Sequence, residues 1–392
     1  MVDLTKRQFI EKLREEKLKQ DSPDLRNALT LLSKELYSDD VHFVMELVQN
    51  AEDNDYPEGT TPKLRFELQN SVLTILNNEI GFTEQNVKSI CSVGASTKRE
   101  HTKGYIGEKG IGFKSVFKVT DRPEIHSAGF HFRFDGETKI IPEWQETETE
   151  GKTWTTQIIL PLKSEQVQRV RDELLGLDPS LLLFLDKLQE IEIVCGGQTR
   201  HLSLQRLDSA RVEVSADGCK ERWLVYKKVC DVPEQIMAAE ERRKGVTVRE
   251  FGLAFPVDES WKLESRGPQK VFAFLPTQLV PGLRFRVQAD FILNTDRSDL
   301  LRDRLWNKWC ASTVAETYQE AVHDLCRSEP GFLLTHLNVA PTPDQIDDPF
   351  FQPIAATTGN LLPNIECVPD ESMTPQLPAR VVKAGDAERK LF

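Results

Sequence analysis

The chain has 392 residues, long for one domain at roughly 100 to 200 residues each, so two packed units are expected. Hydrophobic residues at 39% and charged residues at 29% exclude wholesale disorder. Sixty-two acidic against 50 basic residues leave a net charge of −12, which disfavours a protein that holds nucleic acid chiefly by counterion release.

No apolar run approaches the roughly 18 to 20 residues needed to span a bilayer, and the start MVDLTKRQFIEKLREEK has no apolar signal region. An intracellular protein, in cytoplasm or nucleus and away from the membrane, is the expectation. Seven cysteines, scattered and never closer than 11 residues, signal neither a zinc site nor a disulfide framework.

In chain order, residues 1 to 23 predict a charged helix, and Ser22-Pro23-Asp24 punctuates the start of a second over LRNALTLLSKEL. Asp39 or Asp40 caps a third, running to about Asn54. KLRFELQ and VLTILNN alternate around Asn70-Ser71 as a hairpin, TEQNVKSIC is a short helix, and residues 92 to 110 form a loop rich in Gly, Ser, Thr and Lys. GFHFRFD and TTQIILPL extend one mostly antiparallel sheet covered by these helices, closing a first α+β unit over 24 to 165. A second α+β unit over 166 to 330 comes next: a helix over SEQVQRVRDELLGL, strands EIEIVC, RWLVYKKV, VFAFLP and LRFRVQADFIL, a charged helix around PEQIMAAEERRK, and a helix over about 302 to 328. Residues 331 to 392, with clustered proline, read as a tail or the start of a further region.

Three local patterns carry chemistry. On HFVMELVQNAEDN, Val44, Leu47, Val48 and Ala51 share one helical face and Glu46, Asn50 and Asp53 the opposite one. That stripe is either the solvated side of an amphipathic helix or a metal-nucleotide site. In the latter, Asn gives a neutral oxygen to a hard cation and a carboxylate one turn away orients a water. In GYIGEKGIGFKS, Gly107, Gly110 and Gly112 precede an apolar, helix-like segment, which suits backbone amides approaching phosphate or simply a tight turn. The spacing fits neither a Walker loop, since Phe113 intervenes before Lys114, nor a Rossmann fingerprint. In LTILNNEIGFTEQN a strand runs into Asn77, Asn78, Glu79, Ile80 and Gly81 before a new helix, by itself an ordinary polar connection.

The order of these patterns resembles the GHKL ATPases, the superfamily of gyrase, the ninety-kilodalton heat-shock chaperone, histidine kinases and MutL. ELVQNAEDN matches the N box, LNNEIGF the first glycine box, GEKGIGF the second, and TTQIILPL the closing threonine strand. Within that superfamily the chain is similar to the sacsin and No Vein group of Hsp90-like proteins over roughly residues 24 to 310. LYSDDVHFVMELVQNAEDNDY, NNEIGFTEQNVKSICSVGASTK and GEKGIGFKSVFKVTDRPEIHS carry that likeness.

The resemblance implies a Bergerat-type α/β sandwich followed by a second α+β domain like the chaperone's middle domain. It implies roles residue by residue. Glu46 matches the general base, Asn50 the magnesium ligand, and Asp53 a polar residue lining the nucleotide pocket. Gly107, Lys109, Gly110, Ile111, Gly112, Phe113 and Lys114 match the phosphate-facing box, Gly81 the first glycine box, and Ser96, Thr97 and Lys98 the ATP lid. Thr156 falls at the closing threonine, and Arg297, in ADFILNTDRSDL, at an arginine reaching the terminal phosphate. The first glycine box departs from D-x-G-x-G, with Asn77 for the aspartate that accepts from the adenine amino group and Glu79 for the first glycine. The function implied by the resemblance is magnesium-dependent ATP binding and slow hydrolysis driving lid closure and a chaperone-like or clamp-like change. ATP and Mg2+ are the implied cofactors, and protein clients or a homodimer, through regions outside this chain, the implied partners. The alternative is a nucleotide-gated or inactive scaffold that keeps the fold. None of the seven histidines sits in a histidine-kinase phosphoacceptor box.

Overall fold

The computed structural model describes residues 4–23, 43–92, 112–136, 138, 140–146, 154–294 and 299–381. The second predicted helix, the cap at Asp39 or Asp40, and the loop after residue 92 lie outside them. The chain divides into two compact units, one chiefly Met1–Gln205 with Val214–Lys220, the other chiefly Glu221–Asn294 with Ser298–Phe392.

In the first unit, α1 (Leu4–Gln20), α2 (Phe43–Asp53), α3 (Glu84–Ile90) and α4 (Val167–Leu175) accompany eight strands. These are β1 (Lys63–Gln69), β2 (Val72–Asn77), β3 (Glu124–Ser127), β4 (Phe130–Phe134), β5 (Pro142–Trp144), β6 (Thr156–Pro161), β7 (Glu190–Cys195) and β8 (Gln198–Arg206). Their order in the sheet is β8-β7-β1-β2-β6-β3-β4-β5, with β1 and β7 parallel and every other neighbouring pair antiparallel. The mixed α+β arrangement, a mostly antiparallel sheet with helices, is consistent with a Bergerat-like fold.

The alternation read from the sequence sets the sheet's faces. Leu64, Phe66 and Leu68 on β1 and Leu73, Ile75 and Asn77 on β2 are buried, while the intervening residues are partly exposed. Asn70 and Ser71 both have positive φ, at 48° and 63°, the geometry of a two-residue hairpin turn matching strand twist. Thr83 caps α3 by accepting from the Asn86 amide while its own amide donates to Asn86 Oδ1. Val44, Leu47, Val48 and Ala51 of α2 are buried as their spacing predicts.

Two expected boundaries are corrected. The first unit runs past residue 165 because β7 pairs in parallel with β1, Phe66 lying opposite Ile193, so residues to about 205 belong to its sheet. Nor is α1 a separate piece: Ile10 and Leu13 are buried, and the helix packs on β4 and β5 with Phe9 edge-on to Phe130.

The division between units passes through β9 (Arg211–Ala216) and the start of β10 (Cys219–Asp231). The second unit continues with α5 (Glu234–Ala239), β11 (Val248–Val257), β12 (Val271–Ala273), β13 (Leu275–Pro276), β14 (Arg286–Gln288), α6 (Leu305–Ser328), α7 (Pro330–Thr335) and α8 (Gln352–Leu361). Its strands run β13-β12-β14-β11-β10. Trp306, Cys310, Val314, Tyr318 and Val322 recur every four residues along α6 and form the helix's buried stripe, with Tyr318 stacked on Phe285 at 5.0 Å. The expected tail is a further correction, since Phe332, Phe351 and Ile354 lie in the same core. Of its prolines, Pro353 sits in the first turn of α8 and Pro343, Pro363 and Pro378 at the starts of 3-10 turns, where a missing N–H costs nothing. Gly282, at φ +99°, lies so close to the Gln345 carbonyl that no Cβ fits between them.

Candidate functional site

α2 brings Glu46, Asn50 and Asp53 to one face of the helix. Glu46 and Asn50 are half-buried one turn apart and Asp53 is buried at the helix end. The helix packs along a 3-10 helix over Gly112–Lys118, which begins at the last glycine of the second box and places Phe113 against Phe134. The N box and the end of the second glycine box therefore meet. Ser96, Thr97, Lys98, Gly107, Lys109, Gly110, Ile111 and Arg297 lie outside the described residues.

The first glycine box forms a buried polar network. Asn77, at the end of β2, donates through Nδ2 to the Tyr56 hydroxyl (3.0 Å) and the Lys63 carbonyl (3.3 Å), and its Oδ1 accepts from the Glu79 amide (3.0 Å). Tyr56 in turn donates to the Ala51 carbonyl on α2 at 2.7 Å, tying the box to the helix that carries Glu46 and Asn50. Burial raises the Tyr56 phenol above its usual range, with the Glu79 and Glu52 charges adding to the effect, so it is a neutral donor at any physiological pH.

Glu79, only 3% exposed, accepts from Thr156 Oγ1 at 2.6 Å and from the Gly81 amide at 3.3 Å. Thr156 Oγ1 also lies 2.6 Å from Ser127 Oγ, which accepts the Phe82 amide at 2.8 Å. The direction of this chain is forced. Thr156 has one proton and gives it to the carboxylate, so Ser127 donates to Thr156 and receives from Phe82. Thr156 of β6 and the Gly81 amide therefore both donate to Glu79, with Ser127 of β3 behind Thr156 in the same chain. Gly81 is required beside it: its φ is +94°, and an added Cβ would meet the Ala128 Cβ at 2.5 Å.

Lys114 is a correction. The resemblance offers its charge to phosphate, but its ammonium is buried, donates to the Ile90 carbonyl at the end of α3, and lies 5.1 Å from the Phe134 ring centroid. Desolvation lowers its pKa to about 8. A folded pKa below the unfolded value means that the unfolded chain holds more protons between about pH 8 and about pH 10.5, so this group's contribution to stability rises with pH across that window. Lys114→Met is therefore expected to stabilise the fold at pH 7 by about 1 to 3 kcal/mol, and the gain should shrink toward pH 10. Urea unfolding at several pH values checks this, and a gain that grows with pH would contradict it.

Sequence reasoning missed Glu52, Tyr56 and Ser127. Glu52 is a buried carboxylate that accepts from the amides of Asp186 (2.7 Å), Lys187 (3.0 Å) and Leu188 (2.8 Å), fixing the end of α2 to the approach to β7. Desolvation raises its pKa and those three amides oppose the shift. A signal was present: an acid in the last helical turn opposes the helix dipole and needs another reason to be there. Among the described residues, no group of three or more His, Cys, Asp or Glu is placed to hold a metal ion, and no helix is long and apolar enough to cross a membrane.

Similarity to known proteins runs through the same residues. Residues 28–174 match the Sacsin domain. Over 335 residues, 79% of this chain, it is 38% identical to protein NO VEIN of Arabidopsis thaliana. It is 21% identical to human sacsin over 67% of the chain, and 26% identical to the chaperone protein HtpG of Clostridium botulinum over 40%. The chain spans 12% of NO VEIN, 7% of sacsin and 29% of HtpG. With a buried first glycine box joined to the N-box helix, and with this homology to NO VEIN, sacsin and HtpG, the chain carries a sacsin domain and is a relative of the GHKL, Hsp90-like ATPases.

Proposed function

We propose that the first unit binds Mg-ATP and hydrolyses it slowly, and that the change on closing a lid over residues 92 to 106 is passed on in a chaperone-like or clamp-like rearrangement. The observation that carries this reading is the hydrogen-bonded network Glu79–Thr156–Ser127, joined through Asn77 and Tyr56 to the helix bearing Glu46 and Asn50. In it Glu46 orients and deprotonates the attacking water. Asn50 supplies a carboxamide oxygen to magnesium, a donor suited to a hard cation that takes its other ligands from phosphate and water. The metal supplies charge neutralisation on the phosphates. Gly107, Lys109, Gly110, Ile111, Gly112 and Phe113 frame the phosphates, Ser96, Thr97 and Lys98 belong to the lid, and Asp53 lines the pocket.

Adenine recognition passes from Asn77 to Glu79 in this reading. Both the amide donors and the oxygen of Asn77 are engaged by the protein, whereas Glu79 is a charged acceptor for an exocyclic amine. The second unit stands as a middle-domain counterpart, and Arg297 is the candidate for the terminal phosphate on sequence likeness alone. Client proteins or a second copy would engage regions outside this chain.

The inactive scaffold is favoured by the two departures in the first box, Asn77 for the aspartate and Glu79 for a glycine. Asn50→Ala tests the metal site on which the ATPase reading depends. Under the ATPase reading it weakens Mg-ATP binding with the fold intact, and chelating magnesium has the same effect on wild type. Affinity unchanged by chelation would remove Asn50 from the metal site.

A further inference from the structure

Two histidines that take no part in the proposed nucleotide chemistry face each other across the β3–β4 hairpin. His126 and His131 are cross-strand partners, with Nδ1 atoms 2.9 Å apart and ring centroids 5.2 Å apart. Those two separations together mean that each ring points its nitrogen at the other. This is the geometry of an N–H···N hydrogen bond, and it does not suit chelation, in which the two lone pairs would converge on a third point.

Glu124 fixes where the protons sit. Its carboxylate lies 2.6 Å from His126 Nε2 and is held below the usual carboxylate range, first by that hydrogen bond and further by the charges around it, Arg133 included. An ionised carboxylate only accepts, so His126 Nε2 carries a proton. With both rings neutral, His126 Nδ1 is then a bare lone pair, filled by His131 Nδ1–H. One added proton is accommodated. His126 becomes an imidazolium donating at both nitrogens, and His131 takes the tautomer protonated at Nε2. A second proton is not accommodated, because two N–H groups of like-charged rings would meet head on.

The turn that this pair closes is part of the first unit's polar network. Ser127 receives the Phe82 amide and donates to Thr156, and Ala128 packs directly on Gly81. We propose that His126 and His131 form a proton-sensitive clasp, which holds the β3–β4 turn against the first glycine box near neutral pH and releases it when both rings become charged. The charged neighbours of the pair come from four elements, β3, β4, β5 and α1. Glu124 and Arg133 share its face, Glu143 of β5 is ion-paired to Arg133, and the Trp144 ring stands edge-on to His131. From α1, Lys6 donates to the Ala128 carbonyl and Arg7 pairs with Glu146. Gln157 of β6 is the uncharged partner of His126 in the sheet. The clasp does not depend on whether nucleotide binds.

Hydrogen exchange of the Phe82 amide in the full chain, corrected for the intrinsic effect of pH, tests it between about pH 7.5 and about pH 4, because the second proton enters against the charge of the first and so at lower pH than that of a lone histidine. Wild-type protection should fall several-fold toward the acid end. His131→Asn, which keeps a neutral donor near the position of Nδ1, should remove that step. A flat wild-type profile, or the same fall in both proteins, would overturn the proposal. Should the variant not fold, nitrogen NMR of wild type reads the bond itself: a through-hydrogen-bond coupling between the two Nδ1 atoms is expected at neutral pH and lost in acid, and its absence at neutral pH would equally overturn the proposal.

Discussion

Glu46→Ala is expected to bind Mg-ATP about as tightly as wild type and to hydrolyse it about 100- to 10,000-fold more slowly, the usual contribution of a positioned general base. The reasoning is positional. Glu46 sits half-buried on α2, one turn before Asn50, so with the metal held by Asn50 as proposed, a water beside the phosphate would fall within reach of its carboxylate. The substitution removes no buried hydrogen bond of the first glycine box, which is anchored instead through Tyr56 and the Ala51 carbonyl. Steady-state turnover and equilibrium binding, measured on the same preparation, separate the two effects. Equal turnover by the two proteins would place the base elsewhere, and wild-type binding without any turnover would favour the scaffold.

The second large effect is expected at Glu79. Glu79→Gln keeps the size of the side chain and an oxygen for Thr156, but it removes the charge and turns an N–H donor toward either the Gly81 amide or the ligand amine. Hydrogen bonds to charged groups contribute about 1.5 to 3 kcal/mol, so ATP affinity should fall by about 10- to 150-fold. GTP presents a carbonyl where adenine presents its amine, so the preference for ATP over GTP should narrow. Competition binding of the two nucleotides reads this directly. An unchanged preference would return base recognition to Asn77 or to another group, and it would leave the general-base assignment of Glu46 untouched.

Periodicity made part of the fold legible in the sequence. The apolar face of α2 and the β1–β2 hairpin depend on spacing within a few residues, and both appear where expected. The parallel pairing of β7 with β1 joins segments more than a hundred residues apart, and no local pattern announces it. The clustered prolines after residue 330 mislead because proline marks breaks in helices and not the edge of a core, and Phe351 and Ile354 are as buried as the residues of α6. The site divides in the same way. The residues of the boxes are visible as a pattern, but the role of Glu79 emerges only with Thr156 and Ser127, which lie far along the chain and become neighbours through the β3–β6 pairing of Ser127 with Thr156. Lys114 shows the opposite error, since a lysine beside a glycine turn suggests phosphate until its ammonium is seen on the Ile90 carbonyl.

The central claim, that this chain carries a working Mg-ATP site, is tested most directly by calorimetric titration of the full chain with ATP in the presence and absence of magnesium. The account predicts saturable binding at one site per chain that requires magnesium and is weakened by Asn50→Ala. A folded wild-type chain that gives no saturable binding with Mg-ATP would contradict it.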